Sequence, residues 1–501
     1  MKFRAAARQV TGGWATLPRK AGLNCAETKG KPQTPAELGQ FSTAFACAKP
    51  GILAAGAPVC ACYTSLFSAS SAGKSNGPAM PDRRYRVLAI ASHPVQYMAP
   101  IFRRMAAHPG FDLHVAYCSL RGAEAGHDPE FGATVQWDVP LLEGYSWSHV
   151  PNRGTGEESF FGLRNPGLAK LIREGNYDAV LCFVGYVRAT FWIALRAAKS
   201  SNSAFLFGTD SNTLSPRDGR KWKTTVKKLL WPRLFRLADQ VIVPSSGARD
   251  LMLSLGLSAE RVTLTPYSVD NDWWMGQSAR VDRAAVRAGW GASDSDAVVL
   301  FCAKLQPWKR PGDLLRAFAE AKVSNALLVI AGEGPLRAEL ESQARALAIA
   351  ERVRFLGFVN QSQLPAVYTS ADLMVLPSEY EPFAVVVNEA MCCGCPVAAS
   401  DHVGAARDLV APVRKEFVYR TGDVAALAAL LKDALADRGH LASLGNAALA
   451  HIRTWSPERN IAATFEAIEI GVARRGRRAG GTISNSSVAH TSPSASQKFH
   501  E

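Results

Sequence analysis

The chain has 501 residues, of which 48% are hydrophobic and 20% charged, a balance typical of globular proteins with more than one domain. The formal net charge is +14, but residues 1–80 contribute +7 and residues 474–501 contribute +4, which leaves +3 for residues 81–473. This nearly neutral body argues against nucleic-acid binding, and we exclude that class of function.

The ten cysteines are spread along the chain without a paired framework. Cys118, Cys182 and Cys302 lie in apolar, strand-like runs, which predicts buried thiols in a reducing, cytoplasmic compartment. The cluster 392–395 raises the question of a metal site, but no second Cys/His pair stands nearby at zinc-like spacing. We therefore expect no metal.

Residues 1–80 are rich in Ala, Ser and Gly and show no sustained hydrophobic period. The apolar stretch 51–62 is too short to span a membrane and too far from the start for an ordinary signal peptide. An organelle transit peptide is one interpretation. A disordered leader or an over-extended start, with Met80 shortly before the first clear strand, is the interpretation we favour.

From Tyr85 onward, apolar runs alternate with helical patterns. The runs cover residues 85–92, 111–119, 178–184, 203–208 and 240–244, with a helix predicted around 95–107. This alternation is typical of a doubly wound parallel sheet, whose ligands bind beyond the carboxyl ends of its strands. We assign residues 81–265 to a first Rossmann-like domain and residues 266–295, with a polar Ser/Gly/Asp mixture, to a linker.

A basic segment lies near the end of the first domain. Residues 217–236 contain eight Lys/Arg and one acid, with Trp222, Val226, Leu229 and Leu230 at helical spacing. A basic amphipathic helix can bind anionic lipid at the inner face of a membrane. A solvated helix face is the alternative.

The predicted second domain, residues 296–455, opens with a strand at 297–303. Lys304 ends this strand and Lys309 lies in the loop that follows. Two ammonium groups there can stabilise negative charge on a ligand between the domains, although surface lysines are the alternative. Strands are also predicted at 327–331, before the G-x-G turn at Gly332 and Gly334, and within 353–359.

The stretch DLMVLPSEYEPFAVVVNEAMCCGCPV, residues 372–397, predicts a strand, an acidic turn and a helix. Pro382 suits the first position of that helix, and a helix N-terminus favours an anion such as a diphosphate. Glu381 then lies at the edge of the sheet and Glu389 at most about 12 Å further along the helix. One carboxylate can accept hydrogen bonds from a sugar and the other from a ribose. Two solvated glutamates are the alternative.

This stretch resembles the E-x7-E signature of the retaining GT-B glycosyltransferases, most closely family 4, the "glycosyl transferase group 1" proteins. The resemblance runs from about Tyr85 to Arg475 and is strongest over residues 297–410. It implies the GT-B fold, an α/β architecture with two Rossmann-like domains facing a cleft. It also implies that a helix over 456–473 crosses back to the first domain. The basic, Ser-rich composition of residues 474–501 predicts a disordered tail.

The resemblance implies roles for residues at matching positions. Catalytic roles fall on Glu381, Lys304 and Lys309, with the two lysines against the donor diphosphate, and donor-binding roles on Glu389, Gly332, Gly334, Phe383 and Ala384. The resemblance also implies that the segment 353–359 borders the nucleoside base. The family usually has E-P-F-G where this chain has Ala384, so a positive φ or close backbone approach there is in question.

The residues that would bind the acceptor match the family's motifs less closely. The loop S-H-P-V-Q-Y is similar to the opening loop of a subgroup of the family and makes His93 a candidate, with helix capping as the alternative. Val184 stands where many members have a histidine, and Tyr186 follows it as a further candidate. Asp210 is the third candidate, with a turn or helix cap as the alternative.

Together these features predict an enzyme that moves a sugar from a nucleotide-diphosphate sugar to a hydroxyl of a sugar or lipid-linked acceptor. The predicted reaction retains configuration by front-face attack and needs no metal or other cofactor. The family's usual role suggests polysaccharide, lipopolysaccharide or glycolipid biosynthesis. One alternative is a GT-B sugar-nucleotide epimerase, although no paired acid/base set is recognisable in the first domain. The other is a degenerate, non-catalytic subunit that binds a nucleotide sugar or a partner.

Overall fold

The computed structural model describes residues 83–128, 133–215 and 220–479. These residues belong to one compact unit, Asn76–Glu501. The predicted leader at 1–80, residues 217–219 of the basic segment and residues 480–501 of the predicted tail lie outside the described residues.

The first domain is built on a parallel sheet. Its strands in the described residues are β1 (Tyr85–Ala91), β2 (Phe111–Tyr117), β3 (Gly126–Asp128), β4 (Ala133–Val135), β5 (Ser146–His149), β6 (Ala179–Cys182), β7 (Ala204–Gly208), β8 (Gln240–Val243) and β9 (Val262–Leu264). The sheet has the order β5-β2-β1-β6-β7-β8-β9, and β3 and β4 form a separate antiparallel pair. The five apolar runs of the sequence are thus confirmed as strands.

Helices cover both faces of this sheet. They are α1 (Ala99–Ala107), α2 (Gly167–Glu174), α3 (Ala189–Ser200), α4 (Lys221–Phe235) and α5 (Ser246–Ser254). Because both faces are covered, β1 is apolar along most of its length, and Val87, Leu88, Ala89 and Ile90 are fully buried.

The segment predicted as a linker is helical. It contains α6 (Asn271–Ser278) and α7 (Arg283–Gly289), whose N-termini are capped by the carboxylates of Asp270 and Asp282. Trp274, on α6, is 1% exposed and packs in the core of the second domain. The segment is therefore part of that domain's packing rather than an extended connection.

The second domain repeats the architecture of the first. In the described residues its strands are β10 (Ala297–Cys302), β11 (Ala326–Ala331), β12 (Val353–Gly357), β13 (Leu373–Leu376), β14 (Val397–Ser400) and β15 (Val418–Tyr419). They form a parallel sheet in the order β12-β11-β10-β13-β14-β15. Its helices are α8 (Pro311–Ala321), α9 (Arg337–Ala346), α10 (Leu364–Ser370), α11 (Val386–Cys392), α12 (Val424–Ala436) and α13 (Arg438–Ile452).

The last described helix, α14 (Pro457–Ala479), returns to the first domain. Its residues Ile461, Ala467 and Ile468 are buried in the same cluster as Leu206 and Ile242 of the first sheet. The helix continues past Arg474, so the first residues of the segment predicted as a tail are helical.

Each of the six cysteines in the described residues is a buried free thiol, as predicted for Cys118, Cys182 and Cys302. Burial raises the pKa of Cys182 to about 12. Across the described ranges, no group of three or more His, Cys, Asp or Glu side chains is arranged to hold a metal ion. No described helix combines the length and apolar character needed to cross a bilayer.

Candidate functional site: the cleft between the two sheets

A cavity of about 560 Å³ is lined by loops of both domains. Most of these loops follow the carboxyl ends of strands: His93 follows β1, Asp210 follows β7, Lys304 follows β10 and Gly332 follows β11. In parallel sheets these ends share one edge, which explains why residues far apart in sequence meet here.

Four charged side chains predicted from the sequence line this one cavity: Lys304, Lys309, Glu381 and Glu389. The loops of Lys304 and Glu381 meet because β10 and β13 are neighbouring strands. The Lys309 ammonium forms an ion pair with the Glu381 carboxylate, and the two side chains are only 17% and 16% exposed. Each charge is thus partly desolvated and has the other as its partner.

The G-x-G turn packs against the backbone on both sides of Lys304. Gly332 and Gly334 have φ of +148° and +155°, and an added Cβ would lie 1.9 Å from the carbonyl oxygen of Ala303 and 2.6 Å from that of Leu305. Only glycine allows this approach of two backbones. Gly332 lines the cavity; Gly334 does not, and supports the loop from outside it.

The loop between β13 and α11 carries Glu381. Its backbone is held by the amides of Gly404 and Ala405, which donate to the carbonyls of Glu381 and Phe383 at 3.0 and 2.8 Å. From the other domain, the Asn212 side chain donates to the carbonyl of Pro382 at 3.1 Å. The Glu381 loop is therefore fixed by contacts from both sides of the cleft.

The predicted helix start at Pro382 is wrong, because α11 begins at Val386. The reason is Ala384, which has a φ of +83°. A residue in the left-handed region cannot belong to the first turn of a right-handed helix. Ala384 thus adopts the positive φ that its replacement of glycine had put in question. Both Phe383 and Ala384 line the cavity.

Glu389 lies on the cavity wall but is only 3% exposed. The Tyr368 hydroxyl donates to its Oε2 at 2.8 Å and also contacts the Cys302 sulfur at 3.3 Å. Burial raises the pKa of Glu389 to about 7, although the hydrogen bond from Tyr368 lowers it. Near neutral pH this carboxyl is therefore close to its titration midpoint.

On the first-domain side, His93 and Asp210 line the cavity. His93 Nδ1 lies 2.9 Å from the Ser92 hydroxyl. Burial raises the pKa of the neighbouring Tyr97 to about 12, with a smaller contribution from the charge of Asp210. Tyr186 is not part of the cavity lining; its hydroxyl accepts a hydrogen bond from Trp231 Nε1 at 2.7 Å beneath α4.

The sequence did not single out several residues that line the cavity: Arg121, Trp137, Trp308 and Gln361. Gln96 and Tyr97 belong to the S-H-P-V-Q-Y loop, and Phe358 to the segment 353–359, which the sequence analysis did mark. Trp308 lies between the two lysines and could have been found from that position. Trp137 follows the short strand β4 and has no neighbouring pattern that points to it.

Two family models match the chain, and they match different halves of it. Residues 101–273 match the model described as Glycosyltransferase Family 4, and residues 282–451 match the model described as Glycosyl transferases group 1. The chain belongs to the group 1, family 4 glycosyltransferases. Residues 274–281, from within α6 to just before α7, lie between the two matched segments.

Individual relatives agree with this family. An uncharacterized glycosyltransferase of Methanocaldococcus jannaschii is 35% identical over 173 residues, 34% of this chain and 44% of that protein. D-inositol 3-phosphate glycosyltransferase of Geodermatophilus obscurus is 29% identical over 391 residues, 70% of this chain and 82% of that protein. The chain matches about half the length of the first two curated relatives, 44% and 50%.

The solved structure of Anabaena HepE in complex with UDP and glucose has a TM-score of 0.60, with 20% identity over 77% of this chain and all of that chain. At this identity the likeness shows the fold, which is GT-B: two Rossmann-like domains facing a cleft.

Ala384 allows a test of backbone strain in this family member. The left-handed conformation costs a non-glycine residue about 1–2 kcal/mol, whereas glycine adds about 0.4–1 kcal/mol of unfolded-state entropy. We expect Ala384→Gly to leave the free energy of unfolding unchanged or to raise it by up to about 1 kcal/mol, measured by denaturant titration. Ala405→Gly is the matched control, because Ala405 is fully buried with a φ of −77° and should destabilise. Equal destabilisation by both substitutions would contradict the argument.

The raised pKa of Glu389 predicts a pH dependence of stability. The ordinary pKa of a glutamate is 4.5, and the pKa of Glu389 in the folded protein is about 7. Between these two pH values the folded protein binds more protons than the unfolded protein does. The free energy of unfolding therefore falls as pH rises through this range. From pH 5 to pH 8 the wild type should lose on the order of 2–3 kcal/mol relative to Glu389→Gln. Denaturant titrations of both proteins at several pH values measure this difference. If the free energies of unfolding of the two proteins change equally with pH, Glu389 is not responsible for the pH dependence.

Proposed function

We propose that this protein transfers a sugar from a nucleotide-diphosphate sugar to an acceptor hydroxyl. The observation that carries the proposal is the convergence of two ammonium groups, Lys304 and Lys309, and two carboxylates, Glu381 and Glu389, on one cavity. A nucleotide sugar has the matching chemistry, with a central diphosphate and hydroxyl groups on both sides. That HepE was solved with UDP and glucose supports this donor class.

The ion pair suggests how the donor binds. The diphosphate binds Lys304 and Lys309, and Lys309 exchanges the Glu381 carboxylate for a phosphate oxygen. Glu381 is then available to accept hydrogen bonds from the donor sugar, and Glu389 accepts them from the ribose. Because both members of the pair are partly buried, the exchange replaces one charged partner by another and leaves neither charge without a partner.

We propose a front-face reaction for this arrangement. The bond between the sugar's anomeric carbon and the diphosphate breaks, and the acceptor oxygen forms its bond on the same face, so configuration is retained. The acceptor proton passes to the leaving diphosphate. The two ammonium groups stabilise the charge on that diphosphate, work that metal ions perform in other enzymes. His93 and Asp210, across the cavity, bind acceptor hydroxyls, and closure of the cleft excludes water that would hydrolyse the donor.

Substitution of Glu381 tests the proposal. Glu381→Gln should lower kcat for sugar transfer by at least about 100-fold, because it removes a carboxylate that faces the reacting sugar. Its circular dichroism and melting curve should remain those of a folded protein. The matched control is Glu379→Gln, which removes a 59%-exposed carboxylate two residues away. Unchanged turnover in Glu381→Gln would reject its role.

Product analysis separates the alternatives. NMR of the products distinguishes an anomeric configuration retained in a glycoside from a donor epimerised at a ring carbon. Donor binding without any turnover in the presence of membrane extract would identify a non-catalytic subunit instead.

We further propose that α4 contacts an anionic membrane, which would suit a lipid-linked acceptor in glycolipid, lipopolysaccharide or polysaccharide assembly at the cytoplasmic face. Trp222, Val226, Leu229 and Leu230 are 40–61% exposed on this helix. The helix contains no acid, and Lys221, Lys228 and Arg233 are exposed beside the apolar side chains. Exposed apolar groups flanked by cations fit the interface of an anionic bilayer.

A vesicle assay tests this contact. The double variant Leu229→Ser, Leu230→Ser should lose most of its co-sedimentation with phosphatidylglycerol vesicles and keep its turnover with a water-soluble acceptor. High salt should weaken wild-type binding, because part of it is electrostatic. Trp147→Ser, at a 36%-exposed position on β5, is the control. Equal binding of the double variant and the wild type would contradict the proposal.

A further inference from the structure

The carboxylate of Asp408, in the second domain, contacts the first domain at the start of α5. One carboxylate oxygen accepts a hydrogen bond from the Ser246 amide at 2.8 Å, and the other accepts one from the Ser246 hydroxyl. A helix N-terminus carries a partial positive charge, so a carboxylate is favoured there. Because the contact joins the two domains, any motion that separates them at α5 must break it.

The backbone of Asp408 is held within its own domain. The residue lies in a single π-helical turn, Ala406–Val410. Turns of this kind are rare and occur frequently at functional sites. The Asp408 carbonyl accepts a hydrogen bond at 2.8 Å from Nε2 of His451, on α13. The carboxylate therefore reaches the first domain from a position that the second domain fixes.

The same turn is connected to the backbone of the Glu381 loop. Ala405, directly before the turn, donates its amide to the Phe383 carbonyl at 2.8 Å. Its own carbonyl accepts a hydrogen bond at 2.8 Å from the amide of Leu409, the residue after Asp408. Two successive backbone hydrogen bonds thus connect the turn that carries Asp408 with the loop that carries Glu381.

Close packing leaves this connection little freedom to move. Ala405 is fully buried, and a Cβ added to Gly404 would lie 2.0 Å from the Pro382 carbonyl oxygen and 2.9 Å from the Asn212 side-chain nitrogen. Asn212 belongs to the first domain and lies beside the first turn of α5, where a Cβ added to Gly247 would be 3.9 Å from its Cβ. A shift of the turn relative to α5 therefore displaces the backbone next to Glu381.

We propose that Asp408 is a positioning residue for Glu381. With the cleft closed, its contact with α5 fixes the turn 406–410, and the turn fixes the loop from which Glu381 faces the donor sugar. Opening the cleft breaks the contact and removes this support. Sugar transfer then depends on closure, the state in which water is excluded. The inference rests on the proposed function, because it assigns how the carboxylate at the donor sugar is brought into place.

Steady-state kinetics of the full chain test the inference. Release of nucleoside diphosphate is measured with whichever of UDP-glucose, ADP-glucose and GDP-mannose the wild type turns over, with membrane extract as the source of acceptor. Asp408→Ala should lower kcat at least about tenfold and leave the KM for the donor within about threefold, because the lysines that bind the diphosphate are unchanged. Asp408→Asn should recover most of the loss, since its side-chain oxygen can still accept from the Ser246 amide.

Arg407→Gln is the matched control. Arg407 lies on the same turn and also forms an ion pair with the first domain, but its side chain and that of its partner Asp250 are 65% and 53% exposed. Exposed ion pairs contribute little, so kcat of this variant should stay within about twofold of the wild type. A loss as large as that of Asp408→Ala would indicate a general loosening between the domains and would overturn the specific role of Asp408.

The partner in the first domain provides a second test. Ser246→Ala removes the hydroxyl that donates to Asp408 and should lower kcat about threefold. The variant with both Ser246→Ala and Asp408→Ala should have the kcat of Asp408→Ala alone, because the contact is already lost. Multiplied losses would show that Asp408 does not act through α5. If melting curves show that Asp408→Ala does not fold, Ser246→Ala decides the question, and an unchanged kcat in that variant overturns the inference.

The inference and the proposed function fail separately. If Glu381→Gln loses turnover while Asp408→Ala keeps the kcat of the wild type, the positioning role is overturned and the proposed function stands. If the wild type turns over none of the three donors, or if Glu381→Gln keeps full turnover, the proposed function or the role of Glu381 fails, and this inference fails with it.

Discussion

The ion pair between Lys309 and Glu381 is the interaction on which the site depends. Both side chains are mostly buried, and each would be costly to leave without a partner in the cleft. The pair therefore keeps the loop after β10 and the loop after β13 together. A ligand that separates the two charges must supply an anion to the lysine and hydrogen-bond donors to the glutamate. The pair therefore favours ligands that carry an anion next to hydroxyl groups, as phosphorylated sugars do, and it restricts ligand chemistry as well as supporting the fold.

Local strain is concentrated in the same loops. Gly332 and Gly334 bring one backbone against another behind Lys304, and Ala384 adopts a left-handed conformation three residues after Glu381. These backbone conformations fix the positions from which the side chains of Lys304 and Glu381 extend into the cavity. Tertiary contacts from Gly404 and Ala405 hold the Glu381 loop against this strain. Positions of this kind are typical of functional sites, where surrounding structure maintains a conformation that the local sequence would not select.

Much of the architecture could be predicted because buried parallel strands leave continuous apolar runs. Runs such as 85–92 and 373–376 locate the strands, and residues directly after them, including Lys304, locate the shared edge. Strand β5, with the sequence SWSH, lies at the edge of the first sheet and, within the described part of the chain, pairs with β2 alone, so it has no apolar run to reveal it. The start of α11 was placed too early because the propensity of Pro382 for a first helical turn is local information, whereas the φ of Ala384 is imposed by contacts distant in sequence.

The same distinction, between local information and contacts distant in sequence, explains which site residues the sequence did not reveal. Tyr368 lies on α10 and Trp137 in an irregular loop, and neither stands at the end of a predicted strand. Their positions depend on which segments pack together, and periodicity does not encode that. For Tyr368 the consequence is chemical: its hydroxyl is the hydrogen-bond donor to a carboxyl that burial would otherwise keep protonated at neutral pH. A ribose hydroxyl arriving at Glu389 would add a second donor and favour the ionised form further. In the proposed donor complex, ribose binding and deprotonation of Glu389 would therefore favour each other.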